Sequence, residues 1–372
     1  MKQLINFKKF INQVDNLHQS RFILKWDMET CMPKKGTELN IAASTYLSDE
    51  IFKLTVSDEM KNYLDELSKE ENLAKMDNIF KTMILKEKKN LDRKKNIPPE
   101  LVKHRTEVCQ RSQNTWFSAK KENDFNKMVP YFQEIIMLSK EIAHYKDPNS
   151  SAYDIILDDY EQDMDAEHIE KIFNELKNGT LPLIEAISKK KKFDDSKFKG
   201  EFKKSNQKEL AYYLMDTIGY NLNAGALGES EHPFTMGIAP FDVRITTNYH
   251  ADDIRPSLFS ILHECGHAIY EQNINKNLVG TFLNKGTTMG VHESQSRFYE
   301  NIIGRNKNFW INHYEQLGQI VPYFKNIPID EFYMAINKVE PSLIRIHADE
   351  LTYNLHIIVR FELEKALFDG SL

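Results

Sequence analysis

His263-Glu264-Cys265-Gly266-His267 is the segment of this chain whose residue types and spacing can do chemistry. On a helix, residues four apart lie one turn apart on the same face, so both imidazoles can converge on a single divalent ion. The glutamate between them then lies close enough to take a proton from a water that the ion activates. An H-E-x-x-H pattern arises by chance in about one chain in thirty of this length, so its surroundings must carry the argument. The alternative reading is a surface helix with two solvent-facing histidines.

A catalytic ion of this kind needs a third protein ligand and an open position. The extended pattern with glycine and a third histidine is excluded, because Tyr270 and Asn273 occupy those places. The other common solution is a carboxylate from a following helix, and Val291-His292-Glu293-Ser294-Gln295-Ser296-Arg297-Phe298 supplies one. Glu293 is the expected third ligand, with His292 and Glu300 as local competitors and Glu271 as a more remote one. A metal held by two imidazoles and a carboxylate is expected to be zinc, with cobalt or manganese compatible with the same donors.

These groups need helices to position them. At about 100° per residue, Leu258, Ile261, Leu262, Cys265, Ala268 and Ile269 form an apolar stripe, and His263, Glu264, His267 and Glu271 fall on the other side. Cys265 on that stripe reads as a buried thiol, and Gly266 as a place where a neighbour approaches closely. On the second helix Val291, Phe298 and Ile302 share a face from which Glu293 points away, beside Arg297 and Glu300. Gly280, Gly286 and Gly290 can turn the chain between the two helices.

Elsewhere the three- and four-residue apolar period, few glycines and few prolines predict a mostly helical protein. Breaks are expected at 32–36, 97–99, 147–151 and 178–182, where turn residues cluster. Phe241, Val243 and Ile245 alternate with Asp242, Arg244 and Thr246, which predicts a small hairpin over 234–249. Gly370 reads as a helix C-cap.

The chain has 372 residues, with 49 Lys and Arg against 55 Asp and Glu, a formal charge of −6. Such a balance gives no reason to expect a nucleic-acid partner, and no apolar run is long enough for a membrane helix. Three widely spaced cysteines fit reduced thiols, so a cytoplasmic, unexported protein is expected.

The sequence resembles the carboxypeptidase Taq family of metallocarboxypeptidases. Beyond the H-E-x-x-H, His232-Pro233-Phe234 is similar to the family's H-P-F, Asp242-Val243-Arg244-Ile245-Thr246 to its D-x-R-x-T, and His292-Glu293-Ser294-Gln295 to its H-E-S-Q. Ile344-Arg345-Ile346-His347-Ala348-Asp349 is similar to its I-R-x-x-A-D, and Trp26-Asp27 with Thr30 and Met32-Pro33 to its N-terminal segment. The resemblance implies a mostly α, two-lobed helical metallopeptidase with a long groove and a small β-hairpin at one end that limits substrate length. It implies His263, His267 and Glu293 as ligands and Glu264 as general base. It also implies release of single C-terminal residues from peptides with broad specificity, and a homodimer in the full-length form.

The family's G-x-x-Q-D-x-H-W and G-Y-F-P-like segments do not occur before Leu372. The expectation is therefore a single metallocarboxypeptidase domain over 1–372, C-terminally incomplete. An exopeptidase also needs a partner for the free carboxylate, and the guanidinium fork suits it. Arg345 and Arg244 are the candidates, with His232 as a further substrate-binding residue, and each has a structural alternative. His347 and Trp26 read as structural. Two other readings stay open: an oligo-endopeptidase on a related scaffold, and an inactive metal-binding truncated form.

Overall fold

Sequence periodicity of about 3.6 residues governs the architecture, as expected: in the computed structural model helices carry most of the chain, and the described residues are 2–372, the His347 side chain excepted. The chain divides into two compact units, one of residues 2–163, 274–285 and 366–372, the other of 164–273 and 286–365. Among the described residues no helix is long and apolar enough to cross a membrane.

In the first unit the helix Lys2–Thr30 buries Phe7, Phe10, Ile11 and Val14 against Met60, Leu64, Met83, Ile84 and Leu91. Its neighbours begin where the sequence offers caps. Ser57 accepts from the Met60 N–H at 3.1 Å and Asp77 from the Phe80 N–H at 2.9 Å, each satisfying an otherwise orphaned donor. The predicted breaks at 32–36, 97–99 and 147–151 all separate helices.

The break expected at 178–182 does not occur. The helix Ala166–Ser188, in the second unit, runs through Pro182. A proline removes the donor for the carbonyl four residues back, but Asn178 and Gly179 are exposed, so water can serve that group. Sequence reasoning weighed the local breaker and missed the solvent that relieves it.

The second unit also holds the expected hairpin, with β2 (Thr235–Ala239) antiparallel to β3 (Asp242–Thr247) and a bulge near Gly237 and Ala239. A third strand, β1 (Leu227–Glu229), pairs in parallel with β3, making it central. Three residues carry too little pattern to announce a strand. As a central strand β3 buries Thr246 completely along with Val243 and Ile245, whereas Phe241 in the turn is 56% exposed. The Thr246 hydroxyl accepts from the Phe234 N–H at 2.9 Å, which makes its burial tolerable.

The core of this unit surrounds the helix Arg255–Gln272, here the histidine helix, with Pro256 in its first turn. The predicted stripe Leu258, Ile261, Leu262, Cys265, Ala268 and Ile269 is buried throughout. The next helix, Met289–Arg297, here the glutamate helix, is capped by Thr288 and passes directly into a π-helical turn, Phe298–Ile303. Its apolar face is the exposed one: Val291, Phe298 and Ile302 are 46%, 45% and 58% accessible. Its polar face packs inward, against the histidine helix.

Gly266 permits that contact. A Cβ there would lie 2.6 Å from the Ser296 Cα and 2.7 Å from the Gln295 carbonyl oxygen, both backbone atoms that cannot swing aside. Gly370, at φ 85°, closes the helix Glu350–Asp369 as expected.

Two predictions follow from this packing. Gly266→Ala raises helix propensity by about 1 kcal/mol yet should lower stability by about 1–3 kcal/mol, because the new methyl group overpacks the crossing. A urea midpoint equal to or above wild type would contradict the contact. In the first unit, burial and the nearby positive charges of Lys285, Arg21 and Lys94 push the His18 imidazole down to about 3. The unfolded chain then takes this proton first as pH falls, so His18 costs nothing above about pH 6.5 and destabilises progressively from there towards 3. His18→Gln should flatten the fall in urea midpoint between pH 7 and 5; equal slopes would contradict the assignment.

Candidate metal centre

The histidine helix carries His263 and His267 one turn apart, and the Gly266 crossing brings Glu293 opposite both. Glu293 Oε2 lies 3.4 Å from His267 Nε2 and 3.8 Å from His263 Nε2. One donor atom from each of the three residues lies within 4.8 Å of the others. Metal–ligand bonds of about 2.1 Å set tetrahedral neighbours about 3.4 Å apart, so two imidazole nitrogens and a carboxylate oxygen at these separations fit one divalent ion.

Partners behind the donors fix their direction. His263 Nδ1 is 2.8 Å from Glu300 Oε2, which leaves Nε2 facing Glu293. Glu300, in the π-helical turn, also accepts from Arg297 Nη1 at 2.9 Å and lies 3.6 Å from Arg305 Nη2. His267 Nδ1 is 2.6 Å from His292 Nδ1, and His292 Nε2 is 2.7 Å from Glu271 Oε1. The four acidic and imidazole groups weighed from sequence therefore separate: Glu293 joins the histidine pair, whereas Glu300, His292 and Glu271 stand behind it.

Glu264 is 6% exposed, and Thr235 on β2 is hydrogen-bonded to its Oε2 at 2.6 Å and to its carbonyl at 2.9 Å. Burial raises its pKa, with His263 and the Thr235 bond opposing. Glu293 goes the other way. Burial would raise it, but the His267 hydrogen bond, both imidazoles and Arg297 outweigh that and hold it at about 2. On His263 burial favours the neutral ring, yet Glu300, Glu264 and Glu293 together raise its pKa. Burial thus favours the protonated form of one carboxyl, and its neighbour is kept ionised. The Cys265 thiol, fully buried on the apolar stripe, is pushed well up by desolvation and stays inert, as expected.

Of the expected substrate residues, Arg345 is tied to this centre. Its Nη1 donates to Tyr353 at 2.6 Å, and the Tyr353 hydroxyl lies 3.4 Å from Glu293 Oε1. The Arg297 guanidinium stacks 3.3 Å from the centre of the same tyrosine ring. Arg244 forms a bidentate pair with Asp242, two bonds of 2.7 Å, which is the structural alternative weighed for it. His232 lies in the turn before β2, its carbonyl accepting from Ser230 Oγ at 2.7 Å. The His347 side chain lies outside the described residues.

Sequence reasoning missed Thr235 and Tyr353. A threonine on a strand and a tyrosine on a helix are ordinary there; their neighbours Pro233-Phe234 and Ala348-Asp349, both in recurring motifs, were the available signal.

The chain is similar to known proteins over nearly its whole length. The family model described as carboxypeptidase Taq (M32) metallopeptidase matches residues 6–372. Carboxypeptidase 1 of Bacillus subtilis (strain 168) is 38% identical over 368 residues, covering 98% of this chain and 73% of its own. Thermostable carboxypeptidase 1 of Thermus thermophilus is 33% identical over 377 residues, covering 99% of this chain and 74% of its own. The crystal structure of the M32 carboxypeptidase from Deinococcus radiodurans R1 superposes with a TM-score of 0.92 at 30% identity, covering 100% of this chain and 74% of that one. A family-wide match, a shared fold and a donor set suited to a divalent ion lead to one conclusion: the chain belongs to the carboxypeptidase Taq (M32) metallopeptidase family, whose members are metal-dependent carboxypeptidases.

Proposed function

We propose that residues 1–372 act as one metallocarboxypeptidase domain that removes single C-terminal residues from peptides with little side-chain preference. His263, His267 and Glu293 hold the ion, zinc in preference to cobalt or manganese, and Glu264 is the general base. The reading also takes the protein to be cytoplasmic, homodimeric in its full-length form, and without a nucleic-acid partner. The observation that carries it is the convergence of two Nε2 atoms and one carboxylate oxygen beside a buried glutamate.

When bound, the ion supplies Lewis acidity that polarises a peptide carbonyl and makes water a nucleophile near neutral pH. Glu264 takes the proton of that water on its carboxylate and returns it to the departing amine. Its raised pKa suits both directions of transfer, and Thr235 fixes its Oε2 by a hydrogen bond. Arg345 offers a planar fork to the terminal carboxylate of the substrate. Tyr353, bonded to Arg345 and next to Glu293, sets the distance between terminal carboxylate and scissile bond, which suits removal of one residue at a time. The β2 edge can pair with the peptide backbone, which accounts for loose side-chain preference.

Mass spectrometry of unblocked and terminally blocked peptides incubated with the zinc-loaded chain tests the reading. Products shortened one residue at a time from the free C-terminus support it. Internal cleavage of blocked peptides favours an oligo-endopeptidase, and tight metal binding without cleavage favours an inactive metal-binding form. Glu264→Gln should retain zinc and lose about 10²–10⁴-fold in kcat, so turnover near wild type would contradict the general-base role. Arg345→Ala should lower kcat/KM about 10- to 150-fold for free-acid peptides. Equal losses on C-terminal amides would remove Arg345 as the carboxylate anchor.

A further inference from the structure

We propose that Glu271 and His292 form a positioning pair that sets the tautomer and ring plane of His267. The inference rests on the reading above, that His267 is a metal ligand, and follows from hydrogen-bond directionality. His267 turns Nε2 towards Glu293 Oε2 at 3.4 Å; with an ion held between them, the lone pair must be on Nε2 and the ring proton on Nδ1. Among the described residues its recipient is His292 Nδ1 at 2.6 Å.

His292 Nδ1 must then accept, which places the His292 proton on Nε2, where it is donated to Glu271 Oε1 at 2.7 Å. Glu271 Oε1 also accepts from the Gly286 N–H at 3.0 Å, so it takes protons from two sides and supplies none. With His267 Nε2 reserved for an ion, a proton on His292 Nδ1 would set two N–H groups against each other, and a His292 without one on Nε2 would set two acceptors against each other at Glu271. In the metal-bound form the chain from Glu271 through His292 to His267 therefore has a single direction, and it ends in a lone pair for the ion that Glu293 shares.

The same accounting removes His292 from the ligand set. Both of its ring nitrogens are occupied, one by His267 and the other by Glu271. His263 is oriented directly by Glu300, whereas His267 is oriented through an interposed imidazole, so the two arms of the centre differ in length.

Backbone packing holds the longer arm in place. A Cβ at Gly286 would lie 2.5 Å from His292 Cδ2, 3.0 Å from Glu271 Oε1 and 3.1 Å from Tyr270 Cε1, so the chain presses on the pair where only glycine fits. The Tyr270 ring meets His292 edge to face, with centroids 5.2 Å apart. Groups held this firmly behind metal ligands typically change affinity by about 10- to 100-fold when removed.

The test uses the full chain and two readouts: zinc affinity by chelator competition, and imidazole 15N–1H correlation spectra of His267 and His292. The proposal expects the zinc-loaded wild type to show His267 protonated on Nδ1 and His292 on Nε2. Glu271→Gln, nearly isosteric, should weaken zinc about tenfold and change the His267 signals. His292→Leu should weaken zinc up to about a hundredfold, and His292→Asn, whose Oδ1 can take the place of Nδ1, should recover most of that loss. His267 without a proton on Nδ1, or His292 without one on Nε2, in the zinc-loaded wild type overturns the proposal. Unchanged affinity in Glu271→Gln, or affinity lost with the His267 signals unmoved, does so as well. A wild-type chain that takes up no zinc overturns the metal reading itself, and zinc uptake equal in wild type and Glu271→Gln overturns the positioning pair alone.

Discussion

The close crossing of the histidine and glutamate helices at Gly266 is the constraint on which the candidate centre depends. Two side chains one turn apart on one helix can face a third on another only if the backbones approach closely enough for short donors to meet. Gly266 allows this, with backbone atoms of Gln295 and Ser296 where a Cβ would otherwise lie. The same approach puts the polar face of the glutamate helix inside and leaves Val291, Phe298 and Ile302 outside. A helix with its apolar side exposed pays for that arrangement elsewhere, here by the enclosed core around the histidine helix.

Enclosing so many ionisable groups is costly unless each has a partner, and the partners are what give the centre its chemistry. Glu300 is shared between His263, Arg297 and Arg305, and the net effect of those positive neighbours against burial is a lowered pKa. Glu293 is likewise held ionised by imidazoles and Arg297. On Glu264, hydrogen-bonded by a neutral threonine, burial wins over the opposing His263 charge and the Thr235 bond. Carboxyls on two crossing helices thus receive opposite tuning from the balance of burial against the charges that stand beside them.

Much of this was legible in the sequence. The H-E-x-x-H face, the buried stripe from Leu258 to Ile269, the convergence of Glu293 and the strands around Val243 and Ile245 all follow from spacing, because helical and strand periods fix which residues share a face. What spacing does not carry is long-range partnership. Glu271, His292 and Glu300 have the composition of ligands, and only three-dimensional hydrogen bonding separates them from Glu293. Thr235 and Tyr353 reach the centre from a strand and another helix, with only the motifs beside them as a signal. Pro182 and the three-residue β1 show the same limit: solvent exposure rescues the one, and pairing with β3 creates the other.

The account's central claim is that side chains from two crossing helices hold one divalent ion beside Glu264. Anomalous scattering at the zinc edge from crystals of the zinc-loaded chain tests this most directly. The account predicts a single strong peak within about 2.2 Å of His263 Nε2, His267 Nε2 and a Glu293 oxygen. A peak bonded to His292 or Glu271, or no peak among these residues, would contradict it.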